Sequence, residues 1–75
     1  MDVIVESQIK GAFNGWDKGK IFVLSKGFHK KWEQAEDRHQ SRYAYQPKAK
    51  VWRDGSTHYL EVEGMDEMVE VTRAH

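Results

Sequence analysis

The chain contains no cysteine, which excludes a disulfide framework, a thiolate metal site and a thiol nucleophile, and which fits a cytoplasmic setting. Its single proline, Pro47, marks no linker or domain boundary. The longest unbroken apolar run, Ile21-Phe22-Val23-Leu24, falls far short of the roughly 20 residues that span a bilayer. With no basic-then-apolar leader either, neither membrane insertion nor export is expected. An excess of one charge is also missing: 12 Lys and Arg balance 12 Asp and Glu, which argues against a dedicated nucleic-acid or acidic-membrane binder. No Gly-x-Ser-x-Gly elbow is present, and no glycine-rich loop leads into a helix, so the common hydrolase and phosphate-binding signatures are absent.

What remains is 75 residues, enough for one domain with one core, burying only about 60% of the surface its unfolded chain exposes. Apolar residues recur mostly with period two, the signature of half-buried strands. The first segment places Val3, Val5, Ile9 and Phe13 on one face, with a bend or bulge expected at Gly11. Asn14-Gly15-Trp16-Asp17-Lys18-Gly19 is dense in turn formers and ends that strand. A second strand over residues 20–24 turns Phe22 and Leu24 inward, and a third over residues 28–34 places Phe28 and Trp32 on one face with Trp32 as core anchor. Residues 35–41 are polar after Ala35 and carry no periodicity, so a mobile loop is expected there. Tyr43-Ala44-Tyr45 resumes β character, and Pro47 belongs at a sheet edge or bulge because it donates no ladder hydrogen bond. Val51 continues a strand into Asp54-Gly55-Ser56, a hairpin signal whose Asp-Gly suits a type I′ turn. His58, Leu60 and Val62 alternate after it, residues 64–68 hold at most one 3₁₀ turn near Met65 and Met68, and Val69 and Val71 close the chain. The expectation is a single all-β domain over residues 1–75, a small antiparallel barrel or rolled sheet of five to six strands, because closure removes exposed edges.

Three motifs, Gly11-Ala12-Phe13-Asn14-Gly15-Trp16, Tyr43-Ala44-Tyr45-Gln46-Pro47 and Val62-Glu63-Gly64-Met65, resemble a family of very short, uncharacterised bacterial proteins. The resemblance implies an SH3-like small barrel that often occurs alone, and it implies no activity. Residues 26–42 depart from the family pattern, with Phe28-His29-Lys30-Lys31-Trp32 and a charged run in place of further aromatics.

The charge is unevenly spread. Residues 18–53 carry ten basic side chains against Glu33, Glu36 and Asp37, whereas residues 54–72 carry six acidic ones and no Lys or Arg. Strands of opposite sign that pair across a sheet account for this without a ligand, each cross-strand pair contributing roughly 0.2–1 kcal/mol. A ligand-binding alternative is a nucleic-acid patch of Lys30, Lys31, Arg42, Lys48, Lys50 and Arg53. His29, His39, His58 and His75 lack a spacing that fixes two metal ligands on one face, so neither a metal nor a cofactor is expected.

Aromatic side chains offer the better functional hint. Trp16 in its turn, Asp17, Tyr43, Tyr45 and Gln46, with Trp52 and Tyr59 facing away from Val51 and Leu60, are the candidate binding residues; if exposed together the rings form an amphipathic platform for a partner, and otherwise they fill a second small core of the barrel. The leading expectation is a non-enzymatic interaction module that binds a protein or pairs with itself as a homodimer, Ile21 and Val23 being the outward apolar residues on a candidate edge. Nucleic-acid binding ranks second. An accessory phage or mobile-element product that inhibits a host system is a further class, carried by no particular residue.

Overall fold

Gly11 is the point at which the first long β segment breaks. In the computed structural model, which describes residues 1–75, eight strands form: β1 (Asp2–Gln8), β2 (Ala12–Trp16), β3 (Ile21–Val23), β4 (Lys31–Gln34), β5 (Gln40–Tyr45), β6 (Lys48–Asp54), β7 (Thr57–Val62) and β8 (Val69–Arg73). Gly11 takes φ +81° between β1 and β2, and Gln46 takes φ +50° between β5 and β6. These two bends face each other. Gln46 N–H donates to the Gly11 carbonyl at 2.9 Å, and Ile9 N–H donates to the Pro47 carbonyl at 2.9 Å. β1 pairs with β6 below the bend and β2 with β5 above it, so two long strands kink together and become four. That splitting is why eight strands appear where five to six are expected. Gln46 also shifts the alternation, since Ala44 packs on the core and Pro47, three residues on, is buried; Pro47 thus sits at a bulge, as a proline in a strand requires.

Six strands run antiparallel in the order β1-β6-β7-β8-β4-β3. The sheet rolls until its two outermost strands meet: Ile9 bridges Leu24, Lys10 N–H donates to the Val23 carbonyl at 2.8 Å, and Ser25 N–H donates to the Gln8 carbonyl at 2.9 Å. The antiparallel all-β architecture with a rolled sheet is therefore present. No helix of the chain is long and apolar enough to cross a membrane.

One core of 13 buried residues fills the roll. Phe22, Leu24, Trp32, Val51, Leu60, Val62, Val69 and Val71 all face it, as period-two alternation requires. Val3 does not: a register shift between Val3 and Val5 turns it outward. Phe28 also leaves the expected core face. β4 begins only at Lys31, and Phe28 is 64% exposed with the Arg73 guanidinium 5.7 Å from its ring centroid. The hairpin stands where Asp54-Gly55-Ser56 places it, but Asp54 pairs with Thr57, so the two loop residues are Gly55 and Ser56. Only Gly55 has positive φ, at +62°, which is the pattern of a type II′ turn rather than the expected I′.

Candidate functional site

Trp16 is not in a turn. It is the last residue of β2 and 1% exposed, packed edge-on to Phe13 at 5.4 Å and to Phe22 at 5.6 Å, so it leaves the candidate binding set and joins the core. The turn starts at Asp17, whose backbone N–H donates to Gln34 Oε1 at 2.8 Å and whose carboxylate lies 3.7 Å from His39 Nδ1. The motif residues flanking Gly15 on β2 and those around Ala44 on β5 face one another, with Ala12 opposite Tyr45 and Phe13 opposite Ala44. The inner strand of this ribbon plugs the roll, while the outer one is almost wholly exposed.

Tyr43 and Tyr45 stand on that outer strand, each 68% exposed. Gln46 follows them at the bend, exposed as well. Trp52 and Tyr59 form a separate patch. They are direct cross-strand partners on the outer face of β6 and β7, half-buried, and the Trp52 indole N–H donates to Glu61 Oε1 at 2.7 Å. Tyr45 and Trp52 lie in different sheets, on either side of the bend at Gln46. The candidate aromatics thus divide into a tyrosine strand and a Trp52–Tyr59 patch instead of merging into one platform.

The candidate cations are dispersed too. On β6, Lys50 lies between Glu6 and Glu61, with Nζ 3.8 Å from Glu6 Oε1, and Lys48 lies between Gln8 and Glu63, whose carboxylate accepts the Lys48 N–H at 3.4 Å. Lys26 joins both lysines around a shallow groove that also contains Glu6. Arg53 stands between Asp2 and His58, on the opposite face from Lys50 by alternation. Lys31 opens β4, Lys30 precedes it, and Arg42 lays its guanidinium against Gly64, where a Cβ would approach it at 3.1 Å. A basic strand flanked by acidic ones is what the uneven charge distribution builds here.

Histidines serve the Trp32 anchor. The His29 ring meets the indole edge-on at 5.2 Å and contacts the Ala74 carbonyl through Nε2 at 2.9 Å, while the indole N–H donates to the His29 carbonyl at 3.0 Å. His58 covers another part of the indole at 5.2 Å. No group of three or more His, Asp or Glu side chains is placed to hold a metal ion. Burial, then Arg73 and Arg53 nearby, holds the His58 pKa below its ordinary 6.5. Because the unfolded chain binds this proton at a higher pH than the folded one, stability falls as pH drops below about 6.5 and through the lowered folded value. Thermal melts from pH 7 to pH 5 are expected to show this decline, and His58→Phe, which keeps a ring over Trp32, is expected to flatten it; an identical decline in the variant refutes the assignment.

Gln34 is the feature that strand periodicity marks only as an inward position. It is 1% exposed, accepts the Asp17 N–H, and donates through Nε2 to the carbonyls of Glu36 and Arg38, both at 2.8 Å. The expected loop is thereby confined to residues 35–39, with Gln40 and Ser41 already in β5, and its backbone is tied to a buried side chain. Arg38 then reaches Glu36 at 2.6 Å and pairs with Glu67.

Comparison with known protein families, with curated proteins and with solved structures finds no match for this chain.

Proposed function

We propose that this chain is a non-enzymatic interaction module that contacts a protein partner, or a second copy of itself, through β5. The supporting observation is the strand itself. β5 pairs only with β2, leaving its other edge without a backbone partner, and it carries Tyr43 and Tyr45, large amphipathic side chains exposed to solvent. An unprotected edge is a template for strand addition, and tyrosine supplies contact area at low conformational-entropy cost. A two-fold strand addition at this edge gives a closed homodimer. A nucleic-acid partner is less favoured because Lys50 lies between Glu6 and Glu61 and Lys48 lies beside Glu63, which weakens the field that phosphate contacts require. The lack of cysteine supports a cytoplasmic site of action.

The double substitution Tyr43→Ala/Tyr45→Ala tests this. Both rings are exposed, so the melting temperature is expected to change little, while partner capture from nuclease-treated bacterial lysate, or dimer formation in sedimentation equilibrium, weakens by about tenfold or more. Unchanged capture and unchanged sedimentation overturn the assignment to β5, and capture that disappears on nuclease treatment points to nucleic acid instead.

A further inference from the structure

On the outer face of the sheet, a groove runs between Trp52 and Glu61 on one side and the 65–68 turn on the other, lined by Met65, Asp66, Glu67 and Met68. Its apolar floor is unusual company for its rim. The indole of Trp52 is half-buried and is fixed through its N–H to Glu61, with two thioethers beside it, while every charged residue lining the groove is a carboxylate. Around it, Glu36 and Glu70 add two more carboxylates, Glu70 being the cross-strand partner of Tyr59 and the residue whose N–H Glu36 accepts at 3.0 Å. Two cations stand beside the groove: Arg38, held by Glu36 and Glu67, and Lys50, opposite Glu61 and paired with Glu6; Asp66 forms no ion pair. Met65 also packs on the core, and the carboxylates still outnumber the cations around the indole.

We infer that this groove is a docking site for an arginine-bearing basic segment of a partner protein. A guanidinium stacks on an indole face and bonds carboxylates through its fork of donors, and thioethers adapt to the aliphatic stem. Asp66 and the Glu67 carboxylate oxygen that Arg38 does not engage supply the acceptors, and the Trp52 face supplies the platform. This surface is distinct from β5, so either contact can fail while the other stands.

Trp16 and Trp32 are buried, which leaves Trp52 as the indole that reports on the groove. Titrating the intact protein with penta-arginine at low salt is expected to shift tryptophan emission saturably, with penta-glutamate giving no response. Asp66→Asn/Glu67→Gln is expected to weaken the apparent affinity by about tenfold, the combined worth of two exposed charge contacts, at an unchanged emission spectrum of the free protein. Asp66→Asn alone leaves the Arg38–Glu67 pair intact and is expected to give a smaller loss in the same direction. The Tyr43→Ala/Tyr45→Ala protein is expected to titrate as the unaltered chain does. No saturable response to penta-arginine, an equal response to penta-glutamate, or an affinity untouched by the Asp66 and Glu67 substitutions overturns the proposal.

Discussion

Gly15→Ala is expected to abolish cooperative folding. Gly15 has φ +105°, and a Cβ built there falls 1.9 Å from the Gln40 carbonyl oxygen and 2.9 Å from the Arg42 nitrogen. Both obstacles are backbone atoms of β5, so no rotamer change relieves the overlap. Relief requires β2 and β5 to separate at the register shift between Phe13 and Gly15, next to Trp16, the ring that joins Phe13 to Phe22 in the core. Positive φ alone costs an alanine about 1–2 kcal/mol, and loss of ribbon and core contacts brings the total to about 5 kcal/mol or more. A small domain has on the order of 5 kcal/mol in reserve. The measurement is a thermal melt followed by near-ultraviolet circular dichroism, expected to show no transition. Gly19→Ala is the control: φ is +83° there but nothing lies within 4 Å of the added Cβ, so only the conformational cost of about 1 kcal/mol applies. A Gly15→Ala protein that melts within a few degrees of the Gly19→Ala protein contradicts the close approach of the two strands.

The contrast between Trp16 and Trp32 indicates how much of this molecule local sequence carries. Trp32 sits in an alternating segment and is readable as a core anchor, as are Leu60, Val62, Val69 and Val71. Trp16 follows Asn14 and Gly15, residues that signal a turn, yet here Gly15 marks the close crossing of two strands and the chain stays extended through Trp16. Val3 and Phe28 mislead for related reasons: a register shift beside Val3 and a loop before β4 break the alternation that assigns them inward. The charge segregation was legible as cross-strand neutralisation, and Lys50 between Glu6 and Glu61 has that arrangement. Which strands are neighbours was not, because the order β1-β6-β7-β8-β4-β3 is set by long-range pairing. Alternation puts Trp52 and Tyr59 away from Val51 and Leu60 and puts Tyr43 and Tyr45 on one side of a strand, while the division of these rings into two surfaces emerges only from the bend at Gly11 and Gln46.

Replacing Gln34 by leucine is expected to cost about 3 kcal/mol or more, a fall of roughly 15 °C in melting temperature for a domain this small. The volume is nearly conserved, so the loss is one of hydrogen bonding: the Asp17 N–H and the Arg38 carbonyl lose the amide that satisfies them, while the Glu36 carbonyl keeps the Arg38 N–H, and each partly buried polar group left without a partner costs about 1–3 kcal/mol. Gln34→Glu separates this explanation from simple misfit. Its carboxylate still accepts the Asp17 N–H but faces two carbonyl oxygens where Nε2 donated, so the folded state favours the protonated acid and raises its pKa above the usual carboxylate value. A group that binds its proton more tightly when folded stabilises the fold as pH falls. The Gln34→Glu protein is therefore expected to gain stability, relative to the unaltered chain, as pH is lowered from 7 towards 4, and the Gln34→Leu protein is expected to show no such gain. A pH-independent deficit in both points to shape alone. The consequence reaches the outer face, because residues 35–39 hold Glu36 and Arg38, and Arg38 holds Glu67 at the groove: the buried amide of one strand end sets the position of the carboxylates from which the basic-segment site is built.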